Sequence, residues 1–155
     1  MRSARSAQAV GGAGLVVAVI GTFLPWLRSG NAHRNSYTSF GVLRRLIGFH
    51  GVTEVLIRGW PLLGAVSAAI VVLAVAGLHR TAGGVASATA AWAIAVASSA
   101  LAHDPVAGIR VDPLGPTMTL TGATAVAAAA ILTLIAQVRG GLGGTERERA
   151  SGPAA

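Results

Sequence analysis

The chain has 155 residues, of which 53% are hydrophobic and only 11% are charged, and its formal net charge is +7 at pH 7. It contains no cysteine, which excludes disulfide bonds, thiolate metal sites and cysteine nucleophiles. In a soluble protein this basic charge would suggest a nucleic-acid partner. Here the arginines flank long apolar segments, where contact with lipid headgroups is the simpler interpretation, so we expect no nucleic-acid partner.

Four segments of the chain lack ionisable side chains in their interiors. They are residues 9–27, 61–78, 82–102 and 117–138. Each is long enough to cross a hydrocarbon layer about 30 Å thick as a helix that rises about 1.5 Å per residue. The sequence therefore predicts an all-α fold, a four-helix transmembrane bundle, as one domain over residues 1–139. We expect the Gly-rich tail, residues 140–155, to be disordered.

The first apolar segment follows Arg2 and Arg5, as the apolar region of a secretory signal would. It is longer than the usual signal region of about 7–15 residues, and no small-residue cleavage site follows it. We therefore expect a retained span. Trp26 near its end and Trp60 before the second segment fall on one membrane face, and we interpret them as an interfacial aromatic belt.

The first loop, residues 28–60, is the longest segment between predicted spans. On a helical wheel, residues 40–49 separate into an apolar half and a half that contains Arg44 and Arg45. This pattern predicts a short amphipathic helix that lies at the membrane interface or folds onto the mouth of the bundle. A second short helix is predicted from Thr53. The charges spread through the loop exclude a fifth span.

The third segment consists mainly of Ala, Ser and Gly and carries Trp92 near its middle. We interpret Trp92 as a packing residue, with stacking on a ligand as the alternative. The threonines of the fourth segment can donate to carbonyls of the preceding turn. Residues 103–116 contain three prolines and are predicted to form a rigid, irregular connector on the same face as the first loop.

An ionisable side chain inside the membrane commonly marks a transport pathway, and none lies in the four segments. The histidines show no metal-ligand spacing. His33, His50 and His103 could meet Asp104 or Asp112 on the loop face, but we predict no metal and no cofactor.

A catalytic dyad is also weakly supported. His103 and Asp104 are adjacent, but a third group is missing, so we predict that the protein is not an enzyme. An enzyme with a site around His103, Asp104 and Arg110 remains an open alternative.

Six arginines fall on each side of the predicted membrane, so the distribution of positive charge does not decide the orientation. We prefer cytoplasmic termini, because the longest structured loop of small four-span proteins usually faces outward. The stretch Leu24-Pro25-Trp26-Leu27-Arg28-Ser29-Gly30, with Arg34-Asn35-Ser36-Tyr37 after it, resembles the end of the first span in small uncharacterised four-span membrane proteins of actinobacteria. The resemblance implies a plasma-membrane location and provides no activity or site residues.

The sequence favours a non-enzymatic multi-pass membrane protein that acts through contacts. Its helices would associate with a second copy or with a larger membrane complex. Its loop would contact membrane lipids or an acidic partner. The residues expected to make the loop contacts are Arg34, Arg44, Arg45, Trp26 and Trp60. The alternative is a small transporter or lipid carrier that uses neutral helix faces with Ser87, Ser98 and Thr124.

Overall fold

The computed structural model describes the backbone of residues 2–46, 51–102 and 109–150, and the side chains of residues 6–41, 51, 54–102 and 109–135. The elements in chain order are α1 (Arg2–Phe23), β1 (Pro25–Ser29), β2 (Ala32–Asn35), α2 (Ser36–Leu46), α3 (Val52–Gly59), a 3-10 turn (Trp60–Leu62), α4 (Leu63–Val75), α5 (His79–Ala102), β3 (Ile109–Val111) and α6 (Leu114–Ala150).

Four helical segments are long and apolar enough to cross a membrane, which confirms the predicted four-span helical fold. They are Ser6–Phe23, Glu54–Val75, His79–Ala102 and Leu114–Ile135. The first ends earlier than predicted because the chain enters β1. The second begins earlier because α3, the 3-10 turn and α4 follow one another without a break.

A tight turn joins α4 to α5. The N–H of Leu78 donates to the carbonyl of Leu73 (2.9 Å), and the N–H of Gly77 donates to the carbonyl of Ala74 (3.2 Å). These two bonds satisfy carbonyls that the end of a helix leaves free. The turn requires a positive φ at Gly77, which has φ 80°. Glycine adopts this conformation without steric cost.

The closest contact in the bundle joins α1 to α6, which run antiparallel. A Cβ built on Gly14 would lie 2.8 Å from the carbonyl oxygen of Gly122. One built on Gly122 would overlap the backbone of Ala18. The two backbones therefore touch, which is how helices associate where lipid supplies no hydrophobic driving force. The Thr119 hydroxyl adds an interhelical hydrogen bond to the carbonyl of Ala18 (3.4 Å).

A three-stranded antiparallel sheet, in the order β2-β1-β3, covers one end of the bundle. Gly30 and Asn31 form the loop between β1 and β2, and β3 pairs with β1 through Leu27 opposite Val111. The two loops meet on one face, as predicted. The expectation that residues 103–116 are irregular is wrong for Ile109–Val111, which form β3 of this sheet.

The amphipathic helix α2 begins before the predicted segment 40–49. The side-chain oxygen of Asn35 accepts the N–H of Thr38 (3.0 Å) and so satisfies a free donor of the first turn. Of the two predicted positions, α2 takes the one on the mouth of the bundle, because the ring of Phe40 lies 5.5 Å from that of Trp60. Residues 47–50 lie outside the described residues.

Helix α6 continues beyond the predicted end of the fourth span. The backbone of residues 140–150, which the sequence predicts to be disordered, is helical to Ala150. The Glu and Arg residues at 146–149 favour helix, whereas the glycines before them do not. Residues 151–155 of the predicted tail lie outside the described residues.

Two neighbouring glycines of α1 test the close contact. Gly14→Ala should destabilise the bundle by about 1–3 kcal/mol, because its new methyl group would press on α6. Gly12→Ala should have no such effect, since a Cβ there meets nothing within 4 Å. Both substitutions change the helix propensity by the same amount. The difference between their free energies of unfolding in mild detergent therefore reports the α1–α6 contact alone. Equal stability of the two variants would contradict this account of the α1–α6 contact.

Candidate functional site

Four aromatic rings at the sheet end of the bundle form one aromatic cluster, made of Trp26, Phe40, Trp60 and Trp92. Trp60 lies at its centre, with ring centroids 5.5 Å from Trp26, 5.5 Å from Phe40 and 5.7 Å from Trp92. The interplanar angles are 67–84°, the edge-to-face geometry that aromatic pairs prefer. Trp26 and Trp60 are only 2% and 1% exposed, so the predicted interfacial belt is wrong.

Hydrogen bonds explain why these two indoles turn inward. The Trp26 indole N–H donates to the carbonyl of Gly21 (2.9 Å). The Trp60 indole N–H donates to the Ser36 hydroxyl (2.9 Å), which donates to the carbonyl of Thr22 (2.7 Å). Gly21 and Thr22 belong to the last turn of α1, whose carbonyls have no partner within the helix. Trp26 and Trp60 are therefore buried against the end of α1, which corrects the interfacial position expected from the sequence.

Trp92 takes the predicted packing role. Its ring lies edge-on to Trp60, and a Cβ built on Gly59 would lie 3.4 Å from it. The Trp92 indole nitrogen is buried and has no hydrogen-bond partner among the described residues. An indole that packs while its N–H is unused loses part of the stability that its burial provides.

The predicted contact arginines lie on two elements of the loop face. Arg34 is half-buried on β2. Arg44 and Arg45 lie on α2, and their side chains are outside the described part. The predicted pair of Arg58 and Glu54 on α3 is present, with 2.6 Å between nitrogen and oxygen. Arg58 is largely exposed, so the pair contributes little to stability.

The structure brings together three basic residues that sequence reasoning did not group. Arg28 of β1 lies directly opposite His33 of β2 and Arg110 of β3. All three are exposed. The pairing of β1 with β3 joins residues far apart in the sequence, so the grouping has no local signal. The turn-forming pair Gly30 and Asn31 is the signal that would have predicted half of it, the β1–β2 hairpin.

Of the predicted metal-site candidates, His33 and Asp112 meet, with 3.6 Å between Nδ1 and Oδ2. His50, His103 and Asp104 lie outside the described residues, and of the alternative enzyme site the structure describes Arg110, which is exposed on β3. Within the described ranges, no group of three potential ligands is placed to hold a metal ion.

The described cavities are small. An open one of about 100 Å³ lies between α2 and α3. Its lining residues are Tyr37, Phe40, Gly41, Ile57, Arg58, Trp60 and Pro61. A second, of about 10 Å³, lies in the centre of the bundle beside the hydroxyl of Ser67, which has no hydrogen-bond partner within the described part of the chain. That volume is near the minimum for one water molecule.

Comparison with protein-family models, with curated proteins and with solved structures finds no match for this chain. Its function is therefore inferred from its geometry.

Removing the hydroxyl of Ser36 should destabilise the fold, because Ser36→Ala leaves the buried Trp60 N–H and the Thr22 carbonyl without partners. The expected loss is about 1–3 kcal/mol. Ser87→Ala is the matched control. Its hydroxyl donates to the carbonyl of Gly83 in its own helix, so its loss should change stability by less than about 0.5 kcal/mol. Thermal unfolding followed by tryptophan fluorescence measures both; no difference between them would argue against the buried chain of hydrogen bonds.

Proposed function

We propose that this chain is a non-enzymatic multi-pass protein of the plasma membrane that acts through contacts. Its helices associate within the bilayer, and its loop face contacts lipid headgroups. Its termini lie in the cytoplasm. The observation that carries the proposal is the contrast between the outer face of α5 and the outer faces of the other spans.

The outer face of α5 consists of small side chains. From Gly84 to Ser98, its exposed positions follow one another at alternating spacings of four and three residues, which places them on one side of the helix. They are Gly84, Ala88, Ala91, Ala95 and Ser98. The other spans expose bulky apolar groups that suit lipid, including Val16 and Ile20 on α1, Val71 and Val72 on α4, and Leu132 and Leu134 on α6.

A smooth face of this kind lets a second helix approach closely, as Gly14 and Gly122 do between α1 and α6. The spacing of the α5 row matches that of a left-handed pair of helices. We assign its partner to a second copy of the chain. Two copies related by a two-fold axis along the membrane normal place their α5 helices side by side, with Ala91 near the axis.

The transporter alternative has less support from the geometry. It requires hydroxyls that are free to guide a substrate. The hydroxyl of Ser87 donates to the carbonyl of Gly83 (2.9 Å), and that of Thr124 donates to the carbonyl of Thr121 (2.9 Å). Ser98 lies on the outer face of α5, where the proposed partner helix would cover it.

Cysteine cross-linking tests the association, because the chain has no native cysteine. Ala91→Cys should form a disulfide between copies in membranes treated with an oxidant and give a species of twice the 15.4 kDa chain mass. Val72→Cys, on the exposed face of α4, is the control and should remain monomeric. Equal cross-linking at the two positions would reject the α5 interface.

A bulky side chain at the same position should separate the copies. Ala91→Leu is expected to weaken self-association about tenfold or more, because the larger side chain keeps the helices apart. Val72→Leu should leave it unchanged. Sedimentation in mild detergent measures both variants; an undiminished dimer of Ala91→Leu would show that α5 is not the contact.

The proposed orientation predicts which cysteines an impermeant reagent can reach. Asn31→Cys lies in the exposed turn between β1 and β2 and should be labelled in intact cells. Ser151→Cys, in the tail, should be labelled only after permeabilisation. The reverse labelling pattern would place the termini outside.

A further inference from the structure

The sheet presents a row of basic side chains on its outer face. We call Arg28, His33 and Arg110 the basic row; the three lie directly opposite one another across β2, β1 and β3. Residues opposite one another in neighbouring strands point to the same face of a sheet. Ile109 and Val111, on either side of Arg110, are half-buried, so the basic row forms the exposed face.

The charges of the two arginines are not compensated within the described residues. Arg28 donates from Nε to the carbonyl of Gly30 (3.3 Å), and neither Arg28 nor Arg110 forms an ion pair there. Among the described residues, the carboxylate that reaches the row is Asp112, whose Oδ2 lies 3.6 Å from Nδ1 of His33. Its other oxygen accepts the N–H of Leu114 at the start of α6 (3.2 Å).

Two arginines in this position oppose the folding of the sheet unless an anion lies between them. Side chains directly opposite across an antiparallel pair have Cβ atoms about 4.5–5.5 Å apart, and like charges there are destabilising. Each guanidinium group carries a planar fork of N–H donors that matches two oxygens of a phosphate. One phosphate between Arg28 and Arg110 removes the repulsion and uses both forks.

The basic row lies at the depth of the lipid headgroups. The sheet stands on the ends of α1 and α6, because Trp26 of β1 donates to the carbonyl of Gly21 and packs on Gly115. Arg28 is two residues beyond Trp26, a rise of about 7 Å along a strand. The polar layer on each side of a bilayer is about 5–8 Å thick. A phosphate of the surrounding lipid is therefore within reach of both guanidinium groups.

We propose that the basic row is a binding site for the phosphate of an anionic phospholipid, held between the guanidinium groups of Arg28 and Arg110, with His33 at its edge. This inference rests on the membrane location in the proposed function and not on association through α5. The small span of the row, one residue from each strand, fits a single headgroup. A headgroup without a cationic substituent suits this surface, because the described basic groups of the row outnumber its one described carboxylate, Asp112.

The test compares thermal unfolding of the full chain in neutral detergent with added phosphatidylglycerol or phosphatidylcholine. The variants are Arg28→Gln and Arg110→Gln. Arg58→Gln is the matched control, because Arg58 lies on the same side of the membrane but is already paired with Glu54. Phosphatidylglycerol should raise the unfolding midpoint of the wild type and of Arg58→Gln, and its apparent affinity should fall about tenfold in Arg28→Gln and Arg110→Gln.

The stability of Arg110→Gln without anionic lipid is the second expected result, and a purely structural role for Arg110 would not give it. Without anionic lipid, Arg110→Gln should be at least as stable as the wild type, because the substitution removes the repulsion from Arg28. The proposal would be overturned if Arg110→Gln were less stable than the wild type without lipid and still responded to phosphatidylglycerol as the wild type does. Equal loss of lipid affinity in Arg58→Gln would also overturn it, because that result would indicate a diffuse basic surface.

Inorganic phosphate separates a lipid site from an ion site. Phosphate alone, at the concentration of phosphatidylglycerol that saturates the wild type, should give no stabilisation, because the depth of the row favours a lipid-borne group. Full stabilisation by phosphate would overturn the assignment to lipid. The membrane location is tested independently. Recovery of the chain without detergent would refute the proposed function. A chain that requires detergent but shows no response to the lipid would refute this site alone.

Discussion

The close approach of α1 and α6 is the constraint on which the rest of the structure depends. Inside a bilayer, apolar side chains gain nothing by leaving lipid for protein, so helices associate only where their surfaces fit closely. Gly14 and Gly122 provide that fit, since their missing side chains let the two backbones touch. The contact extends toward the loop face, where a Cβ on Gly21 would lie 2.5 Å from the backbone nitrogen of Thr119. It therefore fixes where α1 ends and where α6 begins.

That fixed position accounts for the sheet. β1 leaves the end of α1 and β3 leads into the start of α6, so the packing of the two helices places the two strands side by side. The N–H of Asp112 donates to the carbonyl of Trp26 (2.9 Å) and continues the pairing to the helix. Backbone groups at the membrane boundary need partners, and the strands and the Trp26 indole provide them. Packing between two helices thus determines which side chains the sheet exposes.

The parts of this fold that are visible in the sequence are those set by local composition. Four apolar segments predict four spans, because length and hydropathy alone decide whether a helix suits a bilayer. The sheet is not visible in this way, since Leu27 pairs with Val111 across most of the chain and β3 is too short to show a periodicity. The interfacial belt predicted for Trp26 and Trp60 is wrong for a related reason. A Trp at the end of a span can face lipid or turn inward, and the choice depends on partners such as Ser36 that only the fold brings near.

The two proposed contact surfaces lie on different parts of the molecule, and the helix arrangement explains why they are compatible. α6 packs against both α1 and α5, and α4 packs against α5, so α5 lies across the bundle from α1. The sheet begins at the end of α1, whereas the row of small residues faces outward on α5. A pair formed through α5 would consequently leave the strand β1 of each copy on the outer side. Each copy would keep its own Arg28 and Arg110 open to the surrounding headgroups, so that self-association and lipid binding need not compete for the same surface.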